Sequence, residues 1–165
     1  MRDIRSIKAA VFVLDGTLLD STAAREGLGE RHLAGRGITP EPGLEEKLRC
    51  MALPDGSAYL KSAYSLPEPP DEILRDILRG IEEFYLAECP LKPGAQELLG
   101  LLSRRGVGIS AATAGDERLA RAALERLGVL GYFSALLTCE GYGGKDKPDI
   151  FLNAGAAAGG IPENT

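Results

Sequence analysis

Four positions in the 165-residue chain carry, or conspicuously lack, groups that could do chemistry. Asp15 ends the apolar run "AAVFVLDGTLLDS" (9–21), and Gly16 and Thr17 after it signal a turn. A carboxylate at a strand end can take up or release a proton, and a second acid on the same strand would make a two-carboxylate site. Two residues earlier stands Val13, which offers neither a lone pair nor a proton. Thr113 ends a second apolar run, "VGISAAT" (107–113), and contributes a hydroxyl. Lys145 lies in "GGKDKPDIFL" (143–152), four residues before Asp149, with Lys147 as its rival. Each has a plainer reading: a strand-end turn for Asp15, a buried strand threonine for Thr113, and a solvated loop charge beside Asp146 for Lys145. The glycines before Lys145 do not make a P-loop, because Asp146 stands where that loop needs Ser or Thr.

Other reactive residue types form no such pattern. Cys50, Cys89 and Cys139 are odd in number, widely spaced and unlike any zinc motif, so they read as reduced thiols of a cytoplasmic protein. His32, the only histidine, lies in a polar helical stretch and indicates no cysteine–histidine pair. The net charge of −5 argues against a nucleic-acid binder, which needs a basic face. No apolar run approaches a membrane span, and the N-terminus lacks the apolar core of a signal peptide.

The elements that must position these residues alternate. A buried strand is expected over Ile7 to Leu14. From about Asp20 to Glu88 the pattern is helical and broken by prolines: a helix capped by Ser21 and running to about Gly35, a weaker one near 44–50, a third over 55–64, and a fourth over 71–87. In the fourth, Ile73, Leu74, Ile77, Leu78, Ile81 and Phe84 fall at core-packing spacing. Further helices are expected from Pro93 to about Arg105, from Asp116 to Leu127 and from Pro148 to Ala158, with strands over 107–113 and 133–138. The order implies a parallel Rossmann-like α/β sheet with an inserted all-helical cap. Residues 1–19 and 90–165 would form the core and 20–89 the cap. Asp15, Thr113 and the loop after Thr138 then lie at the carboxyl ends of strands, where such sheets bind ligands.

In this setting the chain resembles the haloacid dehalogenase superfamily, and more narrowly its helical-cap members, the β-phosphoglucomutase-like and phosphoglycolate-phosphatase-like proteins. "LDGTLLDS" (14–21) is similar to the second half of their first motif, Thr113 to the second, and "GGKDKPDIFL" to the third. "GGIPENT" (159–165) is similar to the lead into the strand that carries the fourth. The resemblance implies phosphoryl transfer or hydrolysis of small phosphorylated metabolites, sugar phosphates among them, through an aspartyl-phosphate. It assigns Asp15 as acid/base, Gly16 and Thr17 as the phosphate-side turn, Thr113 as the phosphate-binding hydroxyl and Lys145 as the phosphate-binding lysine. It also implies Mg²⁺, held by the nucleophilic aspartate, the backbone carbonyl of Asp15 and acids of the fourth motif.

The chain departs from the family pattern twice. Val13 occupies the nucleophile position, and its isopropyl group can neither attack phosphorus nor bind Mg²⁺. The chain stops at Thr165, where the strand bearing the fourth motif is expected to begin, so an incomplete form of the fold is expected. The chain as it stands is therefore expected to be catalytically inactive. The alternative is a non-catalytic protein that binds a phosphorylated metabolite or serves regulation.

Overall fold

A computed structural model describes residues 7–24, 26–139 and 148–160. It divides into two compact units, residues 22–84 and the remainder, 1–21 with 85–165.

The discontinuous unit is built on three parallel strands, β1 (Ala9–Val13), β2 (Gly108–Thr113) and β3 (Ala135–Thr138), in the order β1-β2-β3. Val13 pairs with Ala112, and Thr113 with Thr138, so the three strands end level with one another. Between β1 and β2 this unit contributes the last turn of α4 (Pro70–Ala87) and all of α5 (Ala95–Arg104). α6 (Glu117–Arg126) joins β2 to β3, and α7 (Pro148–Ala157) follows β3.

α7 lies against all three strands, α5 against β2, and α6 against β3. β2 is central, and its residues from Ile109 to Thr113 are all buried. Its small side chains, Ser110, Ala111 and Ala112, permit this close approach. The Ser110 hydroxyl donates to the Ala154 carbonyl of α7 at 2.6 Å, which satisfies a fully buried polar group. Leu14, Leu19, Leu99, Leu124, Val129 and Ile150 are fully buried in this unit.

The other unit is helical: a 3-10 turn at Thr22–Ala24, α1 (Leu28–Ala34), α2 (Leu44–Arg49), α3 (Leu53–Tyr64) and most of α4. Leu28, Leu33, Leu44, Leu60, Leu66, Ile73 and Ile77 form its core. Arg36 crosses from the end of α1 to Glu68 at 2.9 Å and to Asp76 of α4 at 3.2 Å. No described helix is long and apolar enough to cross a membrane.

Two expectations change in detail. The helix expected from Ser21 to Gly35 is interrupted, because Gly27 takes the left-handed conformation (φ 66°) just before α1 begins. The stripe on α4 is also narrower than its spacing implies. Ile73 and Ile77 are buried, whereas Leu78 is 47% exposed.

Gly108 admits no side chain. A Cβ there would stand 1.8 Å from the Ala158 carbonyl oxygen and 2.7 Å from its carbon, both backbone atoms that cannot rotate away. Gly108→Ala is therefore expected to destabilise the protein by about 1–3 kcal/mol or more, read as a lower urea midpoint. An unchanged midpoint would contradict this packing.

Candidate functional site

The carboxyl ends of β1 and β2 bring Val13, Asp15 and Thr113 together. Leu14 is fully buried and anchors the end of β1. Its carbonyl accepts the N–H groups of Thr17, Leu18 and Leu19 at 3.2, 2.9 and 2.9 Å, so the chain winds tightly past Asp15. Gly16 allows the reversal with φ 75°, a conformation that costs a side-chain-bearing residue dearly. Both Gly16 and Thr17 are exposed at this turn. The strand's exit is then tied to the returning chain: Asp20 N–H donates to the Pro90 carbonyl at 2.9 Å, and Lys92 N–H to the Leu18 carbonyl at 2.8 Å.

This tie carries the last turn of α4 to Asp15. The Tyr85 hydroxyl donates to Asp15 Oδ1 at 2.5 Å. The Thr113 hydroxyl donates to Asp15 Oδ2 at 3.2 Å, and Gly115 N–H donates to Thr113 Oγ1 at 3.0 Å. The Asp15 carboxylate thus has a hydroxyl donor on each oxygen. Arg126 of α6 holds the Tyr85 end in place through the Cys89 carbonyl at 2.5 Å and the Tyr85 carbonyl at 3.4 Å. A cation at a helix C-terminus also suits the helix dipole. Burial, and next the hydrogen bond to Asp15, push the Tyr85 phenol above its ordinary value. Cys89 is fully buried, and burial followed by the Asp15 charge raises its thiol to about 11. It is a packed thiol, not a nucleophile.

Val13 is 41% exposed at the end of β1, with no heteroatom in its side chain. Asp20 is no substitute for the missing acid, since its carboxylate is held by Lys92 Nζ at 2.8 Å. An open hollow adjoins Thr113, lined by Ala114, Gly115, Asp116, Arg118, Thr138 and Cys139 among others. Gly115 lies directly against the pair, since a Cβ there would be in contact, at 3.4 Å, with both Asp15 Oδ2 and Thr113 Oγ1. Lys145 and Lys147 lie outside the described residues.

The described donors do not fit a Mg²⁺ ion. Val13 supplies no side-chain oxygen, which leaves the single Asp15 carboxylate, already holding two hydroxyl donors, and its backbone carbonyl, too few oxygens for a hard six-coordinate cation. No group of three or more His, Cys, Asp or Glu among the described residues is arranged to hold a metal.

Sequence reasoning reaches Asp15 and Thr113 through their places at strand ends, and misses Tyr85 and Gly115. Tyr85 stands 70 residues from Asp15 on an amphipathic helix, and nothing local marks it.

Residues 7–165 match the family model of the haloacid dehalogenase-like hydrolases, and the chain belongs to that family. It is 31% identical over 146 residues to a phosphoglycolate phosphatase of Agrobacterium fabrum. That match covers 85% of this chain and 61% of the relative, so the chain spans about three fifths of that relative's length. Among solved structures, a Thermotoga maritima protein provisionally designated a beta-phosphoglucomutase superposes with a TM-score of 0.84 at 20% identity, over 96% of this chain and 74% of that one. A Deinococcus radiodurans family hydrolase, solved with bound phosphate and sodium, superposes with a TM-score of 0.71 at 22% identity, over 95% and 69% of the two chains. At these identities the structural likenesses establish the fold.

The raised Tyr85 phenol makes stability fall in alkali. The unfolded chain releases this proton near the ordinary value of 10.0 while the folded chain retains it. The contribution is thus fully present below that pH and is lost as pH climbs beyond it. Cys89 adds a loss that begins near its ordinary value of 9.0. Chemical denaturation from pH 8 to 12 is expected to give a steeper decline for the unmodified protein than for Tyr85→Phe. Parallel declines would contradict the buried phenol.

Proposed function

We propose that this chain carries the phosphoryl-binding part of a haloacid dehalogenase-like phosphatase or phosphomutase site, directed at small phosphorylated metabolites, without the nucleophile. The observation that carries the reading is Val13, exposed at the β1 end beside the Asp15–Thr113 pair. In the family's chemistry an aspartate at this position attacks phosphorus. Asp15 takes the acid/base role, Thr113 and Lys145 bind the phosphoryl oxygens, and Gly16 and Thr17 form the turn beside them. The family's members generally use Mg²⁺. No step in this chain is routed through it, since the described donors do not fit the ion. Residues 20–89 take the role of the substrate-selecting cap. The three free cysteines favour a cytoplasmic protein.

The family match and the phosphoglycolate phosphatase relative support the substrate class. A second reading, a non-catalytic binder or regulator, draws on the same geometry. Thr113, supported by the Gly115 amide on its oxygen, and the adjoining hollow would keep an anion site from which the attacking atom is gone.

In the full-length protein with Mg²⁺, hydrolysis of p-nitrophenyl phosphate, phosphoglycolate and hexose phosphates is expected at background. Val13→Asp is expected to raise it measurably above background, because it restores an oxygen that can attack phosphorus and ligate a cation. Mg²⁺-dependent turnover by the unmodified protein would contradict the assignment of Val13. Background rates from Val13→Asp would contradict the phosphatase reading.

A further inference from the structure

Hydrogen-bond capacity at the site leads beyond this reading. A threonine hydroxyl has a single proton to donate. That of Thr113 is committed to Asp15 Oδ2, while its oxygen receives the Gly115 amide. Thr113 therefore cannot donate to a phosphoryl oxygen while it holds Asp15. An incoming phosphoryl anion must take over this proton from the protein's own carboxylate. The two Asp15 contacts are unequal: 3.2 Å to Thr113 and 2.5 Å to Tyr85. The Thr113 contact is the one to yield, and Tyr85 then holds the carboxylate by itself.

We infer that the anion site is occupied from within by Asp15, and that Tyr85 is the positioning residue that lets Thr113 pass from Asp15 to a phosphoryl ligand. This rests on the assignment of Thr113 as the phosphoryl-binding hydroxyl. Tyr85 does not touch the ligand. It keeps a partly buried carboxylate hydrogen-bonded after Thr113 has left it. Without the phenol, release of Thr113 would strand that charge, and Asp15 would compete harder for the hydroxyl. A carboxylate left without donors in a partly buried setting is costly, which is why a group remote from the ligand controls its affinity.

The inference is tested by titrating inorganic phosphate into the ¹⁵N-labelled full chain and following the Gly115 amide. The proteins compared are the unmodified chain, Tyr85→Phe, Asp15→Asn and the double variant. Tyr85→Phe is expected to weaken phosphate binding about tenfold, the scale of one hydrogen bond to a charged group. Asp15→Asn is expected to tighten it by removing the competing charge. In the Asp15→Asn background, Tyr85→Phe is expected to change affinity less than about twofold, the margin for uncoupled sites. A purely structural role for Tyr85 would weaken binding equally in both backgrounds, and that result overturns the inference, as does no effect in either. A Gly115 amide silent to phosphate in all four proteins would instead overturn the phosphoryl-binding reading on which the inference rests. On the unmodified protein, saturating phosphate is expected to move the Thr113 side-chain resonances and leave the Tyr85 Cζ shift in place. This readout needs no variant to fold, and a shift of Tyr85 without Thr113 would contradict the exchange.

Discussion

A partly buried carboxylate needs donors, and meeting that need at Asp15 organises the carboxyl end of the sheet. A short hydrogen bond to a charged group stabilises by about 1.5–3 kcal/mol, so the 2.5 Å Tyr85 contact is the stronger of the two and the 3.2 Å Thr113 contact the weaker. Several features follow from supplying them. β2 must end level with β1 to present Thr113, and the parallel register does this. Gly16 must turn with positive φ so that Leu14 can stay buried while Asp15 points into the site. The chain that returns at Pro90 must be tied to the strand's exit, and Arg126 must hold the end of α4, so that Tyr85 meets Oδ1.

Val13 belongs to the same electrostatic arrangement. Val13 ends β1 and Asp15 lies in the turn two residues on, and carboxylates at both positions would repel each other unless a cation lay between them. Valine removes that repulsion and suits the strand by its β-branching. Among the described residues this leaves the Asp15 carboxylate with two hydroxyl donors, one of them backed by the Gly115 amide. In the reading proposed here, the same exchange that removes the repulsion removes the atom that would attack phosphorus.

The parts of this architecture visible in the sequence are those set by local pattern. The small apolar run 107–113 became β2 within a residue, because a strand covered on both faces leaves a continuous apolar signature. Asp15 and Thr113 were legible as strand-end groups for the same reason. Local pattern failed where a single backbone angle or a long-range contact decides. Gly27 splits a helix that periodicity alone carries through to Gly35. Leu78 fits the α4 stripe by spacing and still faces outward, because the stripe that packs is narrower than the run of apolar residues. Tyr85 looks like one more aromatic on an amphipathic helix, and only the tie between 18–20 and 90–92 turns it into a partner of Asp15. Lys145, drawn from the third motif, lies outside the described residues.

The central claim is that phosphoryl groups are bound here without being attacked. It is tested most directly by incubating the full-length protein with Mg²⁺ and a small phosphoryl donor such as acetyl phosphate, quenching in acid, and measuring intact mass. The account predicts an unmodified mass from a protein whose Gly115 amide still responds to phosphate. A phosphoryl adduct that maps to an aspartate would contradict it.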